Sequence, residues 1–148
     1  MKRAYLVRHG EAQREDVDPE RHLTERGVEE VRRIATVAVD EVGVRPARIL
    51  HSGKARARQT AEIWAGLVGA DVTETDGLTP NDDPAIWAER LESEGDGLML
   101  VGHLPHLERL TGLLVTGDAD RSVAGFAAGG LVALERDAGS WRVVSTSP

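Results

Sequence analysis

Short apolar runs alternate with helix-length amphipathic segments along almost the whole chain, and nothing else in the sequence restricts its fold so strongly. Ala4–Arg8, Arg48–His51 and Gly97–Val101 read as strands. After a Thr24 N-cap, Val28, Val31, Ile34, Ala35, Ala38 and Val42 recur mostly at three- and four-residue steps, which predicts a helix over 25–42 ending at Gly43. A second helix is predicted from Ala55 to Val68, with Ala61, Trp64, Leu67 and Val68 inward and Gly69 as its stop. Asp71–Glu74 fits a short edge strand. Pro84 suits the first position of a helix reaching Glu94, and Pro105 opens another with Leu107, Leu110, Leu113 and Leu114 inward. The Gly97–Val101 run is almost purely apolar, the mark of a strand covered on both faces. The tail, Gly130–Leu134 and Trp141–Ser145 around Asp137-Ala138-Gly139-Ser140, predicts a β-hairpin. This alternation predicts an α/β fold: three α/β/α layers, a mostly parallel central sheet and a C-terminal hairpin. No linker or repeat divides residues 1–148, so one domain is expected.

Composition narrows the chemistry. A chain of 148 residues can bury roughly 70% of its unfolded surface. Hydrophobic residues at 41% and charged residues at 29% fit a globular protein. There is no cysteine, so disulfides, thiolate metal sites and cysteine nucleophiles are excluded. No apolar run has the length of a membrane span or a secretory leader, so the cytoplasm is the expected compartment and no membrane partner is expected. The net charge of −7, with three Trp, one Tyr and one Phe as the aromatic complement, argues against nucleic acid as a partner. An anionic small ligand then requires a local cation cluster that overrides the global sign.

In open α/β sheets ligands bind beyond the carboxyl ends of the strands. The first strand ends in Arg8-His9-Gly10, the second in Ser52-Gly53-Lys54-Ala55-Arg56, and the buried strand in Gly102-His103. Two histidines and two arginines are thus expected on one rim, a set suited to a doubly charged tetrahedral anion. The planar donor fork of arginine matches two phosphate oxygens. Gly10 is expected to let the backbone approach the ligand closely. A neutral imidazole can attack phosphorus, and nearby arginines disfavour its protonation. A second imidazole, if protonated, adds a charge-assisted donor to the equatorial oxygens.

Four blocks carry a resemblance to a known family. Arg8-His9-Gly10 resembles the signature of the histidine phosphatase superfamily, which includes the phosphoglycerate mutases. Arg21-His22-Leu23-Thr24-Glu25-Arg26-Gly27 resembles R-x-L-T-x-x-G. Ser52–Thr60 resembles S-P-x-x-R-A-x-Q-T with Gly53 in place of proline, and Val101–Pro105 resembles V-G-H-x-P. The resemblance covers roughly residues 3–135, and the short chain, the Val101–Pro105 block and the leucine helix after it are most similar to SixA-type phosphohistidine phosphatases. The resemblance implies a phosphoglycerate mutase-like fold and a phosphatase with no cofactor and no metal. It implies that His9 becomes phosphohistidine, that Arg8, Arg56 and His103 hold the phosphoryl oxygens, and that Arg21 lines the pocket. A phosphorylated protein carrying phosphohistidine is the implied substrate.

Many members of that superfamily place a glutamate after the second arginine block to protonate an alcohol leaving group. The matching stretch here, residues 76–83, has none; Asp82, Asp83 and Glu11 are the candidates, and Asp83 before Pro84 reads equally as a helix N-cap. An alkoxide leaving group nearly demands an acid, whereas imidazole departs with a conjugate-acid pKa of roughly 6.5. A missing acid therefore favours phosphohistidine over sugar phosphates. The alternatives are a phosphatase for small phosphomonoesters and a binding module for phosphoprotein without turnover. Lys54 and Arg58 read as solvated charges that add positive potential at the mouth. His22 and His51 read as structural or exposed. His103 and His106 form a possible metal pair, but no third ligand accompanies them.

Overall fold

A computed structural model describes residues 1–147. Six strands form one sheet: β1 (Lys2–Arg8), β2 (Arg48–His51), β3 (Asp71–Glu74), β4 (Leu98–Gly102), β5 (Leu131–Asp137) and β6 (Ser140–Ser147), in the order β3-β2-β4-β1-β5-β6. Pairing is parallel from β3 through β1 and antiparallel for β1 with β5 and β5 with β6. The helices are α1 (Glu25–Val37), α2 (Ala55–Val68), α3 (Pro84–Ser93) and α4 (His106–Thr116).

Side chains of successive strand residues point to opposite faces, and the apolar strands serve two cores in this way. Tyr5, Val7, Ile49, Met99 and Val101 pack with Val31, Ala35, Ala61 and Trp64 of α1 and α2. Ala4, Leu6, Leu50, Leu98 and Leu100 pack with Trp87, Leu91, Leu107 and Leu110 of α3 and α4. This is the expected α/β/α sandwich, and β4 is buried along its whole length at the centre of the parallel strands. The hairpin turns through Ala138 and Gly139, both at positive φ, the geometry a two-residue β-turn requires.

The predicted first helix changes character before its end. Its regular part stops at Val37, and a wider π-type turn runs over Ala38–Val42. That extra residue in the turn shifts the phase, so Val39 is buried and Val42, expected inward, is 43% exposed. Leu67, also expected inward, is 41% exposed: Ala57, Ala61 and Trp64 already define the buried stripe of α2, and Leu67 falls beside it. Leu113 and Leu114 are only half-buried in the last turn of α4.

Candidate active site

The parallel pairing of β1 with β4 sets Arg8 beside Gly102, so the residues that follow, His9 and His103, emerge together at the carboxyl edge of the sheet. The ladder continues one step further through His9 N–H donating to the Gly102 carbonyl at 3.0 Å. The two imidazole centroids lie 5.0 Å apart, inclined at 53°. Strand β2 pairs with the other side of β4, which delivers Ser52 to the same place: its Oγ lies 2.7 Å from Nε2 of His103. Arg56 follows as the second residue of α2, close enough to act electrostatically on both histidines. The four residues expected on one rim are therefore together.

Each side chain is held by its neighbours. His9 Nδ1 lies 2.7 Å from the Gly10 carbonyl; because a carbonyl only accepts, Nδ1 carries the proton and Nε2 is left with its lone pair. Burial, opposed by that hydrogen bond and reinforced by Arg56, Arg8 and Arg21, lowers the His9 pKa to about 4. The arginines act as expected, but desolvation is the larger cause. Arg8 donates from Nη1 to the Phe126 carbonyl at 3.0 Å. Buried Nε atoms of Arg8 and Arg56 and buried Nδ1 of His103 have no protein partner.

For His103 the structure decides the protonation state that the sequence left conditional. Burial first, then the proximity of His9, Arg56 and Lys54, lowers its pKa to about 3, so in the free protein it is neutral at pH 7 rather than a charged donor. Lys54 N–H donates to Ser52 Oγ at 3.3 Å, which leaves the serine proton free for His103 Nε2. With Nε2 accepting, Nδ1 is the protonated nitrogen. Sequence reasoning passed over Ser52, although it is the first residue of the Ser52–Thr60 block.

The other motif residues brace the loops. Thr60 Oγ1 accepts from Gly10 N–H at 3.0 Å and donates to the Arg56 carbonyl at 2.8 Å, tying the β1 loop to the first turn of α2. Gln59 Oε1 accepts from Leu23 N–H at 2.7 Å. Thr24 caps α1 through Gly27 N–H, as expected. Gly10 is not small for a ligand: an added Cβ would stand 2.5 Å from Cγ2 of Val31, so α1 packing requires the glycine. Gly53 has φ +92°, which proline, fixed near −65°, cannot adopt; the departure from the proline of the family motif is a different backbone path. Arg21 holds a left-handed backbone with φ 53° and donates from Nε to the Gln13 carbonyl at 3.0 Å. It shares a groove of about 450 Å³ with Arg56.

The candidate acids are engaged elsewhere. Asp82 accepts from the Thr79 hydroxyl at 2.6 Å and the Thr79 N–H at 2.8 Å, and these bonds lower its pKa. Asp83 caps α3 through Ala85 N–H. Glu11 accepts from Thr24 Oγ1 at 3.1 Å beside Arg26. His22 bonds Asp18 and His51 accepts from Gly53 N–H, both structural ties. His106 is 1% exposed with neither ring nitrogen bonded. Among the described residues no three His, Asp or Glu side chains gather into a metal site.

An α/β sandwich that gathers two imidazoles and two guanidinium groups at its strand ends defines an anion-handling protein of a recognisable class. The profile of the histidine phosphatase superfamily (branch 1) matches residues 4–81, and the chain belongs to that family. No curated protein matches it by sequence. Among solved structures, the protein histidine phosphatase SixA complexed with tungstate superposes with a TM-score of 0.84 at 22% identity, over 98% of this chain and 96% of that one. A protein assigned as a phosphohistidine phosphatase SixA from Agrobacterium tumefaciens gives 0.78 at 30% identity, over 98% and 96%. The mycobacterial glucosyl-3-phosphoglycerate phosphatase complexed with VO3 gives 0.76 at 17% identity, over 97% of each chain.

Proposed function

We propose that the chain works as one phosphatase domain that removes a phosphoryl group from phosphohistidine on a partner protein through a covalent phosphohistidine at His9. The observation that carries this reading is the His9 imidazole, proton on Nδ1 toward the Gly10 carbonyl and Nε2 unprotonated at neutral pH. The substrate ring takes a proton from solvent on its free nitrogen; Nε2 then attacks phosphorus, the P–N bond breaks, and neutral imidazole leaves with the bonding electron pair. Water then cleaves the P–Nε2 bond, releasing inorganic phosphate and restoring His9. Arg8, Arg56 and His103 hold the equatorial oxygens. A phosphoryl dianion also favours the protonated form of His103, converting a neutral donor into a charged one as substrate binds.

The engagement of Asp82, Asp83 and Glu11 elsewhere supports phosphohistidine as the substrate over a phosphomonoester, because imidazole departs with less help than an alkoxide. The likeness to the Agrobacterium protein points the same way. The test is a substrate panel of phosphohistidine peptides, sugar phosphates and an aryl phosphate with the wild type and His9→Ala. Phosphohistidine is expected to be cleaved fastest, His9→Ala to be inactive, and acid quench to lose the phosphoenzyme that alkaline quench retains. Faster hydrolysis of sugar phosphates supports the phosphomonoester reading. Phosphate binding without turnover supports the binding module.

A further inference from the structure

The groove beside the phosphoryl pocket is lined by four cations, Arg21, Lys54, Arg56 and Arg58, against two anions, Glu15 and Glu20. In a chain of net charge −7 this is a local reversal of sign. Arg56 lies in both places: it acts on His9 and His103 and also lines the groove. The cations differ in how free they are. Arg21 is fastened through Nε to the Gln13 carbonyl. Arg58 faces Glu62 at 3.3 Å, an exposed pair that competes weakly with an incoming anion. Lys54 stands at the first turn of α2 with no ion pair among the described residues; its backbone is extended there and its side chain caps nothing.

We propose that this groove is a second anion subsite, and that it takes the carboxylate of an acidic residue close to the phosphohistidine of a partner protein. The inference rests on the phosphohistidine reading and adds what surrounds the phosphorylated side chain. Charge complementarity selects the occupant. With Arg56 engaged by the phosphoryl group, Arg21, Lys54 and Arg58 against Glu15 and Glu20 leave one net positive charge on the groove wall, which suits one carboxylate. Glu15 and Glu20 on the same wall oppose the denser charge of a second phosphate. An open groove of about 450 Å³ that shares Arg56 with the phosphoryl site fits a side chain arriving along a polypeptide. Lys54 and Arg58 are therefore specificity residues rather than bystanders.

The experiment compares phosphohistidine peptides carrying Asp and Glu beside the phosphohistidine with the same peptides carrying Asn and Gln. The wild type is expected to prefer the acidic series at least tenfold in kcat/KM, chiefly through KM. Raising the salt concentration is expected to shrink the ratio. In Lys54→Gln/Arg58→Gln the ratio is expected to fall toward one. In Arg45→Gln, which removes one exposed cation before β2 at the opposite edge of the sheet, it is expected to persist. Equal kcat/KM for the two series in the wild type, or a preference retained in the double variant, overturns the inference and leaves the phosphohistidine reading standing. Phenyl phosphate hydrolysed while every peptide is left intact overturns the phosphohistidine reading and the acidic occupant with it.

Discussion

His9 and His103 meet because Arg8 and Gly102 are register partners in the parallel β1–β4 pair, and each imidazole is the next residue along its strand. Their centroid separation of 5.0 Å places both titrating rings in one partly desolvated volume among arginines. Burial lowers the pKa of each below the ordinary 6.5, to about 4 for His9 and about 3 for His103. A proton-shift titration of the free protein by NMR is expected to give both midpoints well below 6. A His9 midpoint near 6.5 contradicts the site as described.

The same shifts act on stability. Between pH 6.5 and about 4 the unfolded chain binds protons at these two positions and the folded chain does not. Stability is therefore full above 6.5 and is lost as the pH falls through that window. The melting temperature is expected to drop from pH 7 to pH 4. In His9→Asn/His103→Asn the drop is expected to be shallower, which differential scanning calorimetry on both proteins measures.

Ser52→Ala removes the hydroxyl 2.7 Å from His103 Nε2. Without it the Nδ1–H tautomer loses its advantage, and the buried Nε2 loses its partner. A loss of about 1–3 kcal/mol corresponds to a fall of roughly 5-fold to 150-fold in kcat. The expected signature is a fall in kcat with KM little changed, together with a change in the 15N shifts of His103. Unchanged 15N shifts would reduce Ser52 to a turn residue.

Asp82→Asn separates the leaving-group argument from the fold. Asparagine keeps an acceptor for Thr79 N–H, so the turn persists. Turnover of phosphohistidine peptides is expected within about twofold of the wild type, since solvent can protonate the substrate ring and no carboxylic acid of the protein is required for imidazole departure. A tenfold loss would return Asp82 to the role of proton donor.

Much of this molecule was legible in the sequence because local rules and global fold agree. Alternating periodicities located every strand and helix, and Thr24, Asp83, Gly43 and Gly69 marked helix ends by their own backbone chemistry. The strand-end rule brought His9, Arg56 and His103 to one rim before any pairing was known. What escaped depends on contacts between distant segments. The order of strands beyond the parallel core, the tie from Ser52 to His103 and the packing of Gly10 on Val31 arise only when β1, β2 and α1 are docked. The phase of Val42 was lost for a local reason, since a helical period assumes 3.6 residues per turn and the π-type turn over Ala38–Val42 is wider. The charge of His103 stays open at the level of sequence, which shows the neighbouring arginines but not the depth of burial that dominates them.

Gly10 offers a test of packing and function at once. In Gly10→Ala the new Cβ would stand 2.5 Å from Val31 Cγ2 and 3.3 Å from the Gly27 carbonyl. The first neighbour is a side chain that can be shortened; the second belongs to the α1 backbone and can yield only if the helix moves. Overpacking of this kind costs about 1–3 kcal/mol. Val31→Ala alone opens a cavity in the core beneath α1 and also destabilises. In the double variant the methyl introduced by Gly10→Ala occupies space that the valine methyl has left, so the two costs are expected to sum to more than the cost of the pair. Urea denaturation of the four proteins measures that coupling. The Gly10 carbonyl orients His9, so turnover in Gly10→Ala is expected to fall and to recover partly when Val31→Ala is added. Strictly additive stabilities would mean that the loop, not the helix, absorbs the added methyl.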